Sequence, residues 1–398
     1  MHPSTKTNGL FDYSVAYILE QHLPAQRGDC HQALATISTL TAEGLNIKLI
    51  IPTKWWGFFT AKEAFKQELL EFYEIQNNFD ISRFMYLPFT PSIVDKIFHC
   101  LLAPIYAAIR KYDLIYTRNC LIAVIALSLG KKVVLEVFKV YYQDKMSVAK
   151  YLARRTNFSN SLSIITHSRL SEESLIEIGA AKEKIRFIPN GFNPDFFTPR
   201  LTQSEARKKL GWNEDEKIVC YTGRIDRLKS IDTILELAAR TKEIKYVIIG
   251  NSLNDTDDWI VHAARRKGLK NIKWKPWAKV GDLPKYLFAS DILIIPPSSK
   301  PMTKYHDTVL PMKTFIYLAA GRPIIAPDLP DVVEVLNERN SALVEPDNLD
   351  LAEKIIRKIF ENQSWACSLA NQALLDSQNF TWQSRAKRII NFLEEVYS

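Results

Sequence analysis

The sequence predicts an α/β protein with two doubly wound parallel-sheet domains, and three observations support this fold class. The chain has 398 residues, enough for two domains of ordinary size that each bury a core. Residues 15–19, 30–43 and 47–52 have the patterns of a strand, a helix and a strand, the unit of a parallel sheet. The same order begins again with a strand at 217–222 and a helix at 230–240.

The composition and charge of the chain argue against several classes of protein. Apolar residues make up 47% of the chain and charged residues 24%, a balance typical of globular proteins. No segment approaches the roughly 18 consecutive apolar residues of a membrane span, and the first residues lack the basic and apolar regions of a signal peptide. Both observations favour a cytoplasmic protein. The net charge of +8 is modest for this length, so we expect no nucleic-acid partner. The cysteines are too dispersed for a zinc site or a disulfide framework: Cys30, Cys100, Cys120, Cys220 and Cys367.

The first domain continues the alternation of helices and buried strands. Gly28 is the one glycine of the loop after the first strand, so the G-x-G-x-x-G fingerprint is absent and a dehydrogenase is not indicated. Predicted helices cover 61–76 and 92–111, and predicted strands cover 114–117, 132–137 and 162–166.

Two features of the first domain leave alternatives open. Residues 54–59, KWWGFF, place four aromatic side chains on a predicted loop. These side chains could pack under the following helix, or they could form a sugar-stacking or membrane-dipping surface. Residues 131–155 carry seven lysines and arginines against Glu136 and Asp144. Such an excess attracts phosphates or an anionic membrane leaflet, although a solvated helix face accounts for it as well.

The second domain begins with a cationic motif at the end of a strand. Gly223 and Arg224 follow the strand at 217–222, and Lys229 comes five residues after Arg224. Glycine lets the backbone approach a ligand closely, arginine offers a fork of donors to phosphate oxygens, and lysine offers a point charge. The carboxyl ends of parallel strands are where such sheets bind ligands. Further predicted strands cover 245–250, 271–274, 291–296 and 324–326, and a final helix covers 381–397.

Residues 308–328 predict a helix whose start binds anions. Pro311 suits the first turn of a helix, and Gly321 suits its C-terminal cap. A helix N-terminus at the mouth of a parallel sheet directs unpaired N–H groups and a positive dipole end into the crevice. Lys313 adds a cation there, which a phosphate opposite it would explain, although an exposed lysine in a first turn needs no ligand.

These motifs resemble those of the GT-B glycosyltransferases, in particular the retaining glycosyltransferase family 4 (glycosyl transferases group 1). The residues Gly223-Arg224 and Lys229 match a GR-x4-K motif, and the segment from Pro311 to Pro323 resembles SPLKxFEYMAxGxPIIA. The phrase IRFIPNGFN at 185–193 is similar to the family's hinge. The resemblance is strong from residue 185 to 346 and loose before it.

The resemblance implies two Rossmann-like domains that face a central cleft. An acceptor-binding domain would comprise residues 1–195, with the helix 379–398 packing back on it. A donor-binding domain would comprise residues 196–378 and take a nucleotide-diphosphate sugar. The expected reaction is transfer of the sugar to a glycan, a lipid-linked molecule or another hydroxyl acceptor. Retention of configuration, no metal and no cofactor are expected, as is contact with an anionic membrane at its inner face.

The resemblance also assigns candidate site residues. Catalytic roles fall to Arg224 and Lys229, which neutralise the leaving diphosphate, and to Asp307. The acceptor-side residues are Gly28, His31 and Phe138. Donor binding is expected from Gly223, Gly250, Trp277, Val280, His306, Thr308, Val309, Leu310 and Lys313.

Four positions depart from the family pattern. Thr308 and Ile316 stand where the family has the two glutamates of E-x7-E, and Asp307 could replace the first of them. Phe138 stands where many relatives have a histidine, and Ser230 where they have a glycine. An active transferase of a divergent subgroup and a catalytically silent subunit that binds a sugar nucleotide or glycan both remain open. A sugar epimerase with the same fold is a third interpretation.

Overall fold

The computed structural model divides into two compact units. The first comprises residues 1–190 and 382–398, and the second comprises residues 191–381. Among the described residues, none of the helices has both the length and the continuous hydrophobicity required to span a bilayer. The described residues are 9–76, 78–86, 92–141, 148–158, 160–225, 230–251, 259–300 and 310–397.

Strands and helices alternate along most of the chain. The strands are β1 (Ser14–Ile18), β2 (Asn46–Lys54), β3 (Asp80–Tyr86), β4 (Leu114–Thr117), β5 (Lys132–Val137), β6 (Leu162–Thr166), β7 (Ile185–Phe187), β8 (Ile218–Thr222), β9 (Lys245–Ile249), β10 (Ile272–Lys275), β11 (Ile292–Ile294), β12 (Ile324–Pro327) and β13 (Ala342–Val344). The helices are α1 (Gly28–Ala42), α2 (Trp55–Phe58), α3 (Lys62–Tyr73), α4 (Ser92–Ile109), α5 (Cys120–Ser128), α6 (Val148–Arg155), α7 (Arg169–Glu177), α8 (Gln203–Leu210), α9 (Ile231–Arg240), α10 (Trp259–Arg266), α11 (Leu283–Ala289), α12 (Lys313–Ala320), α13 (Leu349–Glu361), α14 (Gln363–Ser377) and α15 (Trp382–Tyr397).

The first unit is built on a parallel sheet with helices on both faces. Its described strands follow the order β3-β2-β1-β4-β5-β6-β7. Side chains from α1, α3 and α15 form the core on one face, and side chains from α4 to α7 form the core on the other. The strand order reverses between β1 and β4, so a ligand crevice is expected at the carboxyl ends of these two strands.

The second unit repeats this architecture. Its described strands are parallel in the order β10-β9-β8-β11-β12-β13, and the order reverses between β8 and β11. Strands β8, β9 and β12 are buried on both faces, in keeping with their almost continuously apolar sequences, whereas β10 is half-buried. The structure therefore confirms the predicted fold class of two doubly wound parallel sheets.

Most predicted elements are present, and three expectations need correction. Strand β3 was not predicted because its sequence, DISRFMY, lies mostly half-buried at the sheet edge and lacks an apolar run. Within the segment KWWGFF, Trp55–Phe58 form a one-turn helix, α2, where a loop was expected. Its side chains Trp55 and Phe58 are exposed and Phe59 is 72% exposed, so they do not pack under α3. Helix α12 begins at Lys313, with Pro311 in the turn before it.

Candidate active site

The carboxyl ends of β8 and β9 are held together by two glycines. The N–H of Gly223 donates to the carbonyl of Ile249 at 2.9 Å, and φ is +130° at Gly223 and +150° at Gly250. A Cβ atom at Gly250 would collide with the carbonyl oxygen of Gly223. Both positions therefore favour glycine. A side chain at Gly250 would push the two strand ends apart, and the φ of Gly223 is one that residues with a side chain rarely adopt.

Lys313 lies directly over this strand end. Its Nζ is 3.5 Å from the ring centroid of Tyr221, a cation–π contact. A Cβ atom at Gly223 would stand 3.1 Å from that Nζ, so the absence of a side chain at Gly223 makes room for the ammonium group. The first residue of α12 thus brings a cation to the end of β8.

Two tyrosines fix α12 and the loop after β8. The backbone N–H of Thr222 donates to the hydroxyl of Tyr317 in α12 at 2.8 Å. The hydroxyl of Tyr221 donates to the carbonyl oxygen of Arg224 at 2.8 Å. The Arg224 side chain is half-buried, and Leu310, just before α12, is buried. The loop after β8 and the start of α12 are therefore held together in the second unit. This region contains Gly223, Arg224, Leu310 and Lys313.

Asn251 joins the loops that follow β8, β9 and β10. Its carbonyl oxygen accepts from the N–H of Ile225 at 3.1 Å, and its Oδ1 accepts from the N–H of Trp277 at 2.7 Å. The indole N–H of Trp274 donates to the carbonyl of Gly250 at 2.9 Å. Val280 begins a short 3-10 turn just beyond Trp277. Sequence reasoning missed Asn251, for which the only signal was its position after Gly250.

Five predicted site residues lie outside the described residues. They are Lys229, His306, Asp307, Thr308 and Val309. Ile316 is described, and its side chain is half-buried against the apolar core of the second unit. Within the described part of the chain, no cluster of His, Cys, Asp or Glu side chains could hold a metal ion.

A buried carboxylate organises the carboxyl edge of the first sheet. Glu136, in β5, is completely buried, and its Oε1 accepts from Gln32 Nε2 at 2.6 Å, from His167 Nε2 at 2.5 Å and from Arg385 Nη2 at 2.6 Å. Its Oε2 accepts from the Tyr116 hydroxyl at 2.7 Å. Arg385 belongs to α15, so the last helix is bound to the sheet through a buried ion pair.

Charge pairing keeps Glu136 ionised. Burial by itself would raise the pKa of Glu136, but the charge of Arg385 and the hydrogen bond from His167 outweigh it and hold the pKa below its usual range. Burial lowers the pKa of His167 despite its carboxylate partner. A neutral imidazole fits the contacts, because Nε2 then donates to Glu136 while Nδ1 accepts from Asn190 Nδ2 at 3.3 Å.

The predicted acceptor-side residues make separate contacts. The ring of Phe138 lies 5.5 Å from the guanidinium carbon of Arg118 and 6.5 Å from the His167 ring. The ring of His31 instead lies 6.3 Å from that of Tyr73, and burial lowers the pKa of His31 to about 4.

Gly28 is the first residue of α1, and Arg118 reaches that helix. Arg118 Nη1 donates to the carbonyl of Asp29 at 2.8 Å, while its buried Nε has no hydrogen-bond partner among the described residues. The ring of Tyr17 stacks on that of Tyr116, and its buried hydroxyl likewise has no hydrogen-bond partner within the described part of the chain. Arg118 and the Glu136 cluster were missed from the sequence, because their partners come from distant parts of the chain.

Comparison with known proteins finds a family match over most of the second unit and most of α15. Residues 202–394 match the family model of the glycosyl transferases group 1. An uncharacterised glycosyltransferase of Methanocaldococcus jannaschii, MJ1607, is 23% identical over 241 residues, which cover 58% of this chain and 59% of the relative. The chain spans about half to three-fifths of the length of the curated relatives it matches.

Solved structures extend the similarity to nearly the whole fold. HepE of Anabaena, in complex with UDP and glucose, has a TM-score of 0.70 at 18% identity, covering 95% of this chain and 98% of that one. Sucrose-phosphate synthase of Thermosynechococcus elongatus has a TM-score of 0.75 at 20% identity, covering 95% and 97%. With the two parallel-sheet units, these similarities establish the GT-B fold.

Proposed function

We propose that this chain, a GT-B protein whose residues 202–394 carry the sequence pattern of the glycosyl transferases group 1, is a glycosyltransferase. It would move a sugar from a nucleotide-diphosphate sugar to a hydroxyl group of a glycan or lipid-linked acceptor. The observation that carries the proposal is the position of the Lys313 ammonium over Gly223, beside the end of β8. The UDP complexes of HepE support the choice of donor class.

The second unit has the features that departure of a diphosphate requires. As the bond to the sugar breaks, negative charge grows on the leaving phosphate oxygens, and preorganised cations aimed at that charge are usually the largest catalytic contribution. Lys313 offers one cation and the start of α12 offers N–H groups. Arg224 and Lys229 are proposed as further cations, and Asp307 as the carboxylate near the donor sugar. On this proposal the reaction needs no metal and retains configuration at the sugar carbon.

The first unit offers polar groups suited to a hydroxyl-bearing acceptor. The unpartnered Tyr17 hydroxyl and Arg118 Nε would each gain a partner from an acceptor hydroxyl or phosphate. The apolar ring of Phe138 beside Arg118 would lie against the face of a sugar. A membrane-bound acceptor would bring the protein to the inner face of the cytoplasmic membrane, in keeping with the basic segment 131–155.

A catalytically silent subunit is the second candidate, and Ile316 favours it. An apolar side chain at this position cannot replace the carboxylate of the family's second glutamate. The retained Gly223, Gly250 and Lys313 favour a protein that binds the sugar nucleotide, since a protein that binds only a glycan would not need them.

Donor binding followed by donor hydrolysis tests the proposal. The purified full-length protein is first screened by thermal shift against UDP-, GDP- and ADP-sugars. Whichever donor raises the melting temperature is then incubated with the protein, and release of the nucleoside diphosphate is measured. We expect one donor to bind and to be hydrolysed slowly without an acceptor. Binding without any release, with or without candidate acceptors, would favour the silent subunit. Absence of binding to every donor would contradict the transferase and leave only a silent subunit that binds a glycan.

A further inference from the structure

Helix α4 presents a line of exposed apolar side chains along its whole length. Ile93 is 68% exposed, Ile97 51% and Ile109 72%, all large fractions for isoleucine. Residues spaced by four are neighbours on a helix surface, and each such step turns about 40° around the axis, so these side chains form a stripe that winds across the exposed half of the helix. Other apolar side chains of α4 that lie between these isoleucines or beside them are also exposed: Phe98, Leu101, Leu102 and Ile105. A contiguous apolar surface of this size marks a site of interaction.

The neighbouring helices extend the stripe into a wider surface. Helix α4 packs against α5, which packs against α6, and all three bury their inner sides in the same core. Leu121 and Leu129 of the α5 region are exposed, and so are Val148 and Tyr151 of α6. The exposed aromatics of α2 lie next to the start of α4, since Lys54, just before α2, contacts Asp95 in the first turn of α4. We call the outer side of α4, α5 and α6 the helical surface.

The charge on the helical surface has one sign. Across the residues of α4, α5 and α6 the single acidic side chain is Asp95, which is buried and contacts Lys54 and His22. Arg154 and Arg155 are exposed on α6 and Lys150 is half-buried there. The helical surface therefore joins an apolar stripe to a basic edge without an exposed carboxylate.

We propose that the helical surface docks on an anionic lipid bilayer, with the α4 stripe inserted among the lipid headgroups and the α6 cations facing lipid phosphates. A helix with one strongly apolar face and basic residues beside it is suited to the membrane interface. Anionic lipids attract clustered lysines and arginines, so the basic edge complements this occupant. A second copy of the chain fits less well, because a twofold contact would bring Arg154 and Arg155 against cations of the partner.

This docking site is independent of the proposed transferase activity, and its test requires neither nucleotide nor turnover. The full chain is sedimented with vesicles of phosphatidylglycerol and phosphatidylcholine, and with vesicles of phosphatidylcholine alone, at low and high salt. We expect binding to the anionic vesicles to weaken with salt, because salt screens the attraction between the basic side chains and the lipid phosphates. Binding to the neutral vesicles should be much weaker, because that attraction is missing.

Two variants separate the apolar and charged contributions. The triple change Ile93→Gln, Ile97→Gln and Ile109→Gln should weaken binding at least tenfold at both salt concentrations. Its control is Phe11→Gln, Val333→Gln and Leu375→Gln, which removes exposed apolar side chains elsewhere and should leave binding unchanged. The change Lys150→Gln, Arg154→Gln and Arg155→Gln should weaken binding about fivefold per cation at low salt and reduce the salt dependence. Circular dichroism and melting temperature verify that each variant is folded.

Three outcomes would overturn the inference. The first is absence of binding to anionic vesicles at low salt. The second is a folded apolar variant, or a folded charge variant, that binds like the unaltered chain. The third is a dimer in light scattering that the apolar triple change dissociates, which would assign the helical surface to a second copy of the chain.

Discussion

The ammonium of Lys313 lies 3.5 Å from the ring centroid of Tyr221, and the hydroxyl of the same ring donates to the carbonyl of Arg224. One side chain at the end of β8 therefore contacts both the lysine of α12 and the backbone of the arginine. This relationship gives Tyr221 a positioning role that the apolar pattern of β8 did not reveal. It also predicts that removing the Tyr221 ring weakens the binding of phosphate by Lys313.

Replacing Lys313 should weaken binding of the nucleoside diphosphate. The change Lys313→Ala removes a charged hydrogen bond to phosphate, a loss of roughly 1.5–3 kcal/mol, which calorimetry would detect as an affinity at least about tenfold lower. Tyr221→Leu should produce part of this loss, whereas Tyr221→Phe, which keeps the ring, should produce less. Lys354→Ala, an exposed lysine of the same unit, is the control. Equal affinities for Lys313→Ala and the control would remove Lys313 from the donor site.

The glycines at the strand ends should not tolerate alanine. At Gly250 a Cβ would collide with the Gly223 carbonyl, and the φ of +150° is unfavourable for any L side chain. Gly250→Ala should therefore lower the unfolding free energy of the second unit by more than about 3 kcal/mol. The control is Gly268→Ala, where φ is +67° and nothing lies within 4 Å of the new Cβ, so the expected cost is about 1 kcal/mol. Similar denaturation midpoints for the two variants would contradict the assigned geometry.

The buried pair of Glu136 and Arg385 should make the last helix essential to the first unit. Arg385→Met leaves a carboxylate buried without its charged partner, and such losses are about 3–5 kcal/mol. The double change Glu136→Gln with Arg385→Met should cost less than the sum of the two single changes, because it strands no charge. Lys387→Met, at an exposed position of α15, should shift the urea midpoint little. Strictly additive effects would mean that the two side chains are not coupled.

The strands were the most predictable part of this protein. Strands β4, β5 and β6 were predicted with the bounds that the structure has, because buried parallel strands are short apolar runs between polar turns. The sequence also indicated Gly223, Gly250 and Lys313 as donor-binding residues, because glycine at the end of a strand and lysine at the start of a helix suit a phosphate. Their role in donor binding stays a prediction.

Contacts between distant residues could not be predicted in this way. Glu136 and Arg385 are 249 positions apart, and neither has a local pattern that marks its partner. The exposure of the α4 stripe could not be predicted either, because an apolar helix has the same sequence pattern whether its outer face is covered by other residues or exposed to solvent. Only the packing of α4 on α5 and the sheet distinguishes its inner side from its outer side.

Acid should destabilise the first unit before its carboxylates are protonated. Burial lowers the pKa of His99 to about 4, whereas an unfolded chain has a histidine pKa near 6.5. Between these values the unfolded chain binds a proton that the folded chain does not, so stability falls as pH falls from about 6.5 to about 4. Removing the titration with His99→Gln should reduce this pH dependence by at most about 3 kcal/mol over the interval. Equal slopes of urea midpoint against pH for the unaltered chain and for His99→Gln would refute the effect.

Ile316 should weaken the recognition of ribose. A hydrocarbon side chain cannot accept hydrogen bonds from the 2′- and 3′-hydroxyls, and Ile316 packs partly into the core of the second unit. We therefore expect the affinities for a nucleoside diphosphate and its 2′-deoxy analogue to differ by less than about tenfold. Restoring the family's glutamate with Ile316→Glu should increase this ratio toward a hundredfold or more, because a buried carboxylate would lose its partner when the 2′-hydroxyl is absent. Ile316→Leu is the matched control and should keep the original ratio. Calorimetry with both nucleotides measures the ratio directly, and a loss greater than about a hundredfold in the unaltered protein would show that another residue holds the ribose.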